Sequence, residues 1–183
     1  MSERRVPCPI CGKQRLFSSR YPNALCNSCA YSKDMVDSNG FHVEFANESM
    51  WGGFVSIHYE NGGIVKREEH RCFLNGIECE ATEARFGGIA VQVLVPCPMC
   101  KVSHVAQAER HLVGLCRNCV YNLVDQNGNH VRFDYDDRWE HSGFISLHDE
   151  NDTWVKKNEP TCFLNGVKCY AYHHDENIIV RLD

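Results

Sequence analysis

A chain of 183 residues with 43% hydrophobic and 23% charged residues has the balance of a folded globular protein, and no apolar run reaches the roughly 20 residues of a membrane span. Its formal net charge of −5 opposes general polyanion binding, because affinity for phosphates comes from neutralising them. The opening Met1–Pro7 stretch lacks an apolar signal core, so the twelve cysteines are expected in a reducing, cytoplasmic setting, as metal ligands more than as a disulfide framework.

The same plan runs along the chain twice. Cys8-Pro9-Ile10-Cys11 precedes Cys26-Asn27-Ser28-Cys29, and Cys97-Pro98-Met99-Cys100 precedes Cys116-Arg117-Asn118-Cys119. Two C-x-x-C pairs supply the four thiolates of a closed tetrahedral zinc site. The predicted ligands of two structural Zn2+ ions per chain are therefore Cys8, Cys11, Cys26 and Cys29 in the first copy, and Cys97, Cys100, Cys116 and Cys119 in the second. Each zinc–thiolate cluster carries two negative charges, which moves the net charge to about −9. Gly12 permits a tight turn after the first pair; Lys101 stands at the equivalent place, so that turn must tolerate a side chain. After the second pairs, Ala30–Asp37 and Val120–Asp125 read as helices that stop at Asn39-Gly40 and Asn127-Gly128.

A knuckle, a hairpin and a helix in this order resemble a treble-clef zinc finger, and Leu25-Cys26-Asn27-Ser28-Cys29-Ala30-Tyr31 is similar to the matching stretch of GATA-type fingers. The resemblance covers only the finger part of each copy. The span between the pairs is shorter than in GATA fingers and no basic tail follows the helix, so DNA reading is not carried over. A zinc ribbon, with two knuckles and no helix, is the structural alternative.

Beyond each finger the pattern is β. Phe41–Phe45 and Phe54–Tyr59 alternate, Glu60-Asn61-Gly62-Gly63 reads as a turn, and Ile64–Arg67 as the return strand. Asn75-Gly76 is a two-residue hairpin signal that pairs Leu74 with Ile77, Phe73 with Glu78 and Cys72 with Cys79, and Asn165-Gly166 repeats it with Cys162 and Cys169. These four cysteines read as small hydrophobes on a buried face, with a cross-strand disulfide or a further metal site recruiting His42 or His58 as the alternatives. The expected fold class is α+β, mainly antiparallel β: a tandem duplication of a treble-clef-like four-cysteine zinc finger fused to a small β-sheet. Repeat 1 spans residues 1–93 (finger 6–40, β part 41–93). Repeat 2 spans residues 94–183 (finger 95–128, β part 129–183).

Ser56 and His58, matched by Ser146 and His148, share one strand face and are followed by Glu60 and Glu150. They are candidate ligand-contact residues, and a Ser/His/Glu acid–base set is the catalytic reading. The bland reading is a solvated strand face. The function expected is a zinc-stabilised binding or adaptor module for a protein partner, with no catalytic residue and no membrane contact. Nucleic-acid binding is the alternative, because Arg4, Arg5, Lys13, Arg15 and Arg20 make the first finger locally basic. An enzyme using the Ser/His/Glu faces is the third reading.

Overall fold

Asn-Gly steps and alternating strands set the architecture. The computed structural model describes residues 4–48, 53–84, 88–106, 114–136, 143–174 and 177–183. The chain divides into two compact units, Met1–Leu94 and Val95–Asp183.

The first unit runs β1 (Arg5–Pro7), β2 (Gln14–Leu16), α1 (Asn27–Ala30), β3 (His42–Asn47), β4 (Phe54–Glu60), β5 (Gly63–Arg67), β6 (Arg71–Leu74), β7 (Ile77–Ala84) and β8 (Gly88–Pro96). The second runs β9 (Ser103–Val105), α2 (Arg117–Tyr121), β10 (Val131–Tyr135), β11 (Phe144–Glu150), β12 (Thr153–Lys157), β13 (Thr161–Leu164), β14 (Val167–His174) and β15 (Asn177–Leu182). The strands of both units pair in antiparallel register. Each unit builds one meander of three strands, β3-β4-β5 or β10-β11-β12, and a second meander, β6-β7-β8 or β13-β14-β15.

The hairpins close where the turn residues demand. Asn75 and Gly76 have φ of 53° and 73°, and Asn165 and Gly166 have 51° and 80°. Two successive left-handed residues match the right-handed twist of the flanking strands, which is why Asn-Gly is favoured there. The register that follows pairs Cys72 with Cys79 and Cys162 with Cys169, as the spacing predicts. All four of these thiols are fully buried beside Leu74, Ala81 and Val93 or Leu164, Ala171 and Val180. They act as small hydrophobes, and burial, with Cys169 beside it, pushes the Cys162 thiol up to about 12. Neither histidine proposed for a third metal site is available to them, since His42 bonds Met35 O and Glu44 while His58 bonds Asp37 and Ser56.

The fold is mostly antiparallel β, which corrects the α+β expectation: the helices contain only four and five residues. Ala30–Asp37 does not continue as a helix, because Val36 is drawn into the sheet. Its N–H donates to Phe73 O at 2.9 Å, and Phe73 N–H donates back at 2.7 Å. Val124 and Phe163 exchange the same pair of bonds at 2.9 and 2.7 Å. Met35 and Leu123 then point into the core with 1% and 0% exposure. A helical turn at these positions would strand the bonding groups of Phe73 and Phe163 and withdraw two large apolar side chains from burial.

The two units solve one packing contact differently. Leu25 N–H donates to Val91 O at 2.8 Å, and Leu115 N–H donates to Val180 O at 2.7 Å. The preceding residues are Ala24 and Gly114, and the residues before the acceptors are Ala90 and Ile179. A Cβ placed on Gly114 would lie 2.7 Å from Ile179 Cγ2 and 3.1 Å from Val180 O. Gly114→Ala is therefore expected to destabilise the protein by about 1–3 kcal/mol through overpacking. Urea titration should show the loss shrinking in the Gly114→Ala/Ile179→Ala double variant, relative to Ile179→Ala alone.

Candidate metal centres and a buried Asp-His-Ser brace

Each finger folds its first cysteine pair into a tight knuckle and its second onto the first turn of a helix. Cys8 N–H donates to Lys13 O at 2.8 Å, and Gly12 N–H donates to Cys8 O at 3.0 Å. The second knuckle repeats this with Cys97, Val102 and Lys101. Gly12 has φ of 73° and Lys101 has 63°, so the lysine accepts a left-handed conformation that costs a side-chain-bearing residue about 1–2 kcal/mol. Its Nζ donates to Pro98 O at 2.7 Å. Cys26 and Cys116 are the N-cap residues of α1 and α2, and Cys29 and Cys119 lie within those helices.

The knuckles and helix starts bring the eight predicted ligands into two four-sulfur clusters, Cys8/Cys11/Cys26/Cys29 and Cys97/Cys100/Cys116/Cys119, with all four sulfurs of a cluster within 4.8 Å of one another. Cys11 and Cys26 sulfurs are 3.5 Å apart, as are those of Cys100 and Cys116, and Cys97 and Cys119 are separated by 3.8 Å. A tetrahedron with metal–sulfur bonds of about 2.3 Å has edges of about 3.8 Å. A disulfide would need about 2.05 Å. The clusters fit two metal ions and no sulfur–sulfur bond.

Electrostatics within each cluster is split. Burial draws the Cys8 thiol upward, but the amides of Cys11, Cys26 and Ile10 outweigh it and bring the group down to about 6. The amides of Cys100, Cys116 and Met99 do the same for Cys97, again to about 6. Cys26 N–H and Cys116 N–H each lie 3.4 Å from the sulfur they serve. Cys29 and Cys119 are pushed far up, by burial and then by the neighbouring sulfurs. One thiolate is stabilised by backbone dipoles, and the last is opposed by its neighbours.

The structure buries the polar strand face that alternation leaves to solvent. Ser56, His58, Ser146 and His148 are 0% exposed, whereas Ile57 and Leu147 on the opposite face are only half-buried. What satisfies each buried histidine is an aspartate from the loop that follows the helix of its finger. Asp37 Oδ2 accepts from His58 Nδ1 at 2.7 Å, and His58 Nε2 lies 2.9 Å from Ser56 Oγ. Asp125, His148 and Ser146 repeat the arrangement at 2.9 and 3.0 Å. Asp37 Oδ1 also accepts the amides of Asn39 and Phe41, both at 2.9 Å. Asp125 Oδ1 likewise accepts those of Asn127 and Asn129.

These are the residue types of a catalytic triad, and in the first set the serine hydrogen is directed away from the histidine. Ser56 Oγ donates its only hydrogen to Arg67 O at 2.9 Å. Its lone pairs then accept from His58 Nε2 and from Glu69 N–H. With that hydrogen committed to Arg67 O, Ser56 Oγ faces His58 Nε2 with its lone pairs. A general base must accept the serine proton, and here that proton points to the Arg67 carbonyl. Glu60 and Glu150, grouped with these residues on sequence, pair instead with Arg67 and Lys157. Asp37, His58 and Glu60 lie close enough to frame a cation site, but the Arg67 guanidinium stands 3.6 Å from Asp37 and pairs with Glu60. That place already holds a positive charge.

The two aspartates are the functional residues that strand alternation and motif spacing do not reveal. Their signal in the chain is the repeated Val-Asp step two residues before Asn-Gly, at Asp37 and Asp125. No family model, no curated protein and no solved structure matches the chain. Among the described residues no helix is long and apolar enough to cross a membrane.

Burial alone would raise the Asp125 carboxyl, but His148 and the Asn129 and Asn127 contacts outweigh it and hold the group at about 2. Folding therefore favours its charged form. That stabilisation is complete above the ordinary aspartate range near pH 4 and is lost as pH falls through about 2. Asp125→Asn is expected to cost roughly 2 kcal/mol at neutral pH. Melting temperatures measured from pH 7 downward should show the gap from wild type closing below about pH 4.

Proposed function

We propose that the protein is a zinc-stabilised binding module, in which two closed four-thiolate zinc sites are structural and recognition of a protein partner falls to the surfaces they brace. The observation that carries this reading is the pair of four-sulfur clusters, with the spacing of a filled tetrahedron and, among the described residues, no fifth side chain grouped with them. Four thiolates suit zinc, and they also suit iron; the reducing cytoplasmic setting expected for so many unbridged cysteines keeps them competent for either. Zinc is favoured because a redox-inert ion matches an architectural role. In the first Asp-His-Ser set the Ser56 hydroxyl is committed to Arg67 O, which weighs against a hydrolase reading there.

Elemental analysis of purified protein should give two zinc per chain. Structural zinc in small fingers contributes about 10–16 kcal/mol of folding free energy at neutral pH, so a strong chelator should abolish the β circular-dichroism signal, and added zinc should restore it. Cys8→Ser should leave one zinc per chain and unfold the first unit selectively, as judged by loss of its NMR resonances. Chelated protein that keeps its fold and its tertiary NMR dispersion would refute a structural role for the metal.

A further inference from the structure

The first unit contains a groove that borders the first four-sulfur cluster at Cys26 and lies outside the Asp-His-Ser set. It encloses about 480 Å³ between β2, α1 and β8, and its lining includes Gln14, Arg15, Leu16, Tyr21, Tyr31 and Ile89. Leu16 and Tyr31 are 51% and 70% exposed, so apolar surface lies open at its rim.

A strand edge runs along one wall. Val91 O accepts from Leu25 N–H, and Val93 N–H donates to Asn23 O. In an antiparallel strand the bonding groups of alternate residues face the same side. Val91 and Val93 thus face residues 23–25, and Ile89 faces that side too, away from β7. The covering segment turns off at Cys26, the N-cap of α1. Among the described backbone bonds, the Ile89 N–H and C=O and the Val91 N–H are left facing the groove. Unpaired strand edges are templates for an added strand.

Charge selects what can add there. Residues 4–33 contain six lysines and arginines and no aspartate or glutamate. Among the described residues no acidic side chain lines the groove, while Arg15 does, and Lys13 and Arg20 are exposed beside it. The two added charges of a zinc–thiolate cluster leave this segment at about +4. We infer that the groove takes an extended acidic peptide segment, which adds as a strand to the Ile89–Val91 edge and lays its carboxylates toward the exposed Lys13 and Arg20. The inference rests on the proposed reading of the chain as a protein-binding module. A nucleic acid would meet the same charges, but it has no main-chain amides with which to satisfy the strand edge, and the net charge of −5 repels a long polyanion.

The test uses the zinc-loaded full chain and three labelled probes: a blocked heptapeptide of alternating glutamate and valine, its lysine–valine counterpart, and a thymidine oligonucleotide. The acidic peptide should bind saturably, and it should slow amide hydrogen exchange at Ile89 and Val91. The basic peptide should not bind. Lys13→Glu/Arg20→Glu should weaken binding by about tenfold or more. Ile89→Pro removes an N–H that faces the groove and leaves the β7 ladder intact; it should weaken binding by a similar factor, about tenfold. Circular dichroism and zinc content check that both variants fold, and the exchange measurement on wild type decides the matter if either does not. Absent binding, or exchange at Ile89 and Val91 that the peptide leaves unchanged, overturns the inference. So does an oligonucleotide that binds more tightly than the acidic peptide. Acidic-peptide binding that Ile89→Pro and the charge reversals leave intact overturns the groove while leaving the module reading standing, since that reading fails only on metal content and chelation.

Discussion

Four sulfur atoms gathered into one tetrahedral cluster set the terms for everything else in each unit. Two unit negative charges at about 3.5 Å repel by roughly 5 kcal/mol even at an effective dielectric near 20, and a cluster contains six such pairs. The chain relieves a small part of this with backbone amides: those aimed at Cys8 and Cys97 bring these groups down to about 6. They do nothing for Cys29 and Cys119, which are driven up by burial and by the sulfurs beside them. Only a cation at the centre allows all four to be thiolates together. The short knuckle and the single helical turn are thus useful because of the geometry they give the sulfurs. A longer helix is unnecessary, and the chain spends the following residues on sheet contacts instead.

The second constraint is the polar brace that ties each finger to its meander. Asp37 lies in the loop between finger and β3, His58 and Ser56 lie on β4, and Ser56 bonds the chain at Arg67 and Glu69. Three segments distant in sequence are fixed by one connected set of hydrogen bonds with no solvent access. A buried polar network of this kind is worth keeping only when every member is satisfied. Asp37 meets that demand by accepting from two amides as well as from the imidazole. Removing any one partner leaves a buried charge or dipole unpaired, a larger loss than the bond itself. Cys8, Cys29 and Met35 of the finger share one core with Val43 of the first meander and Leu74 of the second. The brace and the Val36–Phe73 bonds make them one cooperative body.

Much of this is readable in the residues, and the failures have physical causes. The sulfur clusters follow from C-x-x-C spacing because a tetrahedral four-thiolate site admits few arrangements. The Cys72–Cys79 register follows from Asn75-Gly76 because a two-residue turn fixes which residues stand opposite. Local propensity over-extends the helix after Cys29 because it carries no information about Phe73, whose backbone claims Val36 from the other end of the unit. The burial of His58 escapes for a related reason. Alternation along Phe54–Tyr59 offers two faces, and hydrophobicity ranks Val55 and Ile57 as the buried ones. The structure inverts that ranking because Asp37, 21 residues earlier in the chain, satisfies the histidine from inside. A polar face can be a core face only when its partner is already there, and no window along one strand contains that partner.

The duplication separates what the architecture requires from what it leaves open. Both copies keep the four sulfurs, the Asp-His-Ser brace and the buried cysteine pair on the second meander. Around these the copies part. Arg67 with Glu60 becomes Lys157 with Glu150, the residue types Ala24 and Ala90 become Gly114 and Ile179, and an uninterrupted basic stretch at residues 4–33 becomes the mixed stretch Lys101, Glu109, Arg110 and Arg117. The charge difference at Lys13, Arg20, Lys101 and Arg117 lies on exposed residues, whereas Arg67 stands 3.6 Å from Asp37 and Ile179 is buried, so the other two changes reach the brace and the core. Two units with a shared frame and different exterior charge present two unlike surfaces, and the basic strand-edge groove belongs to the first.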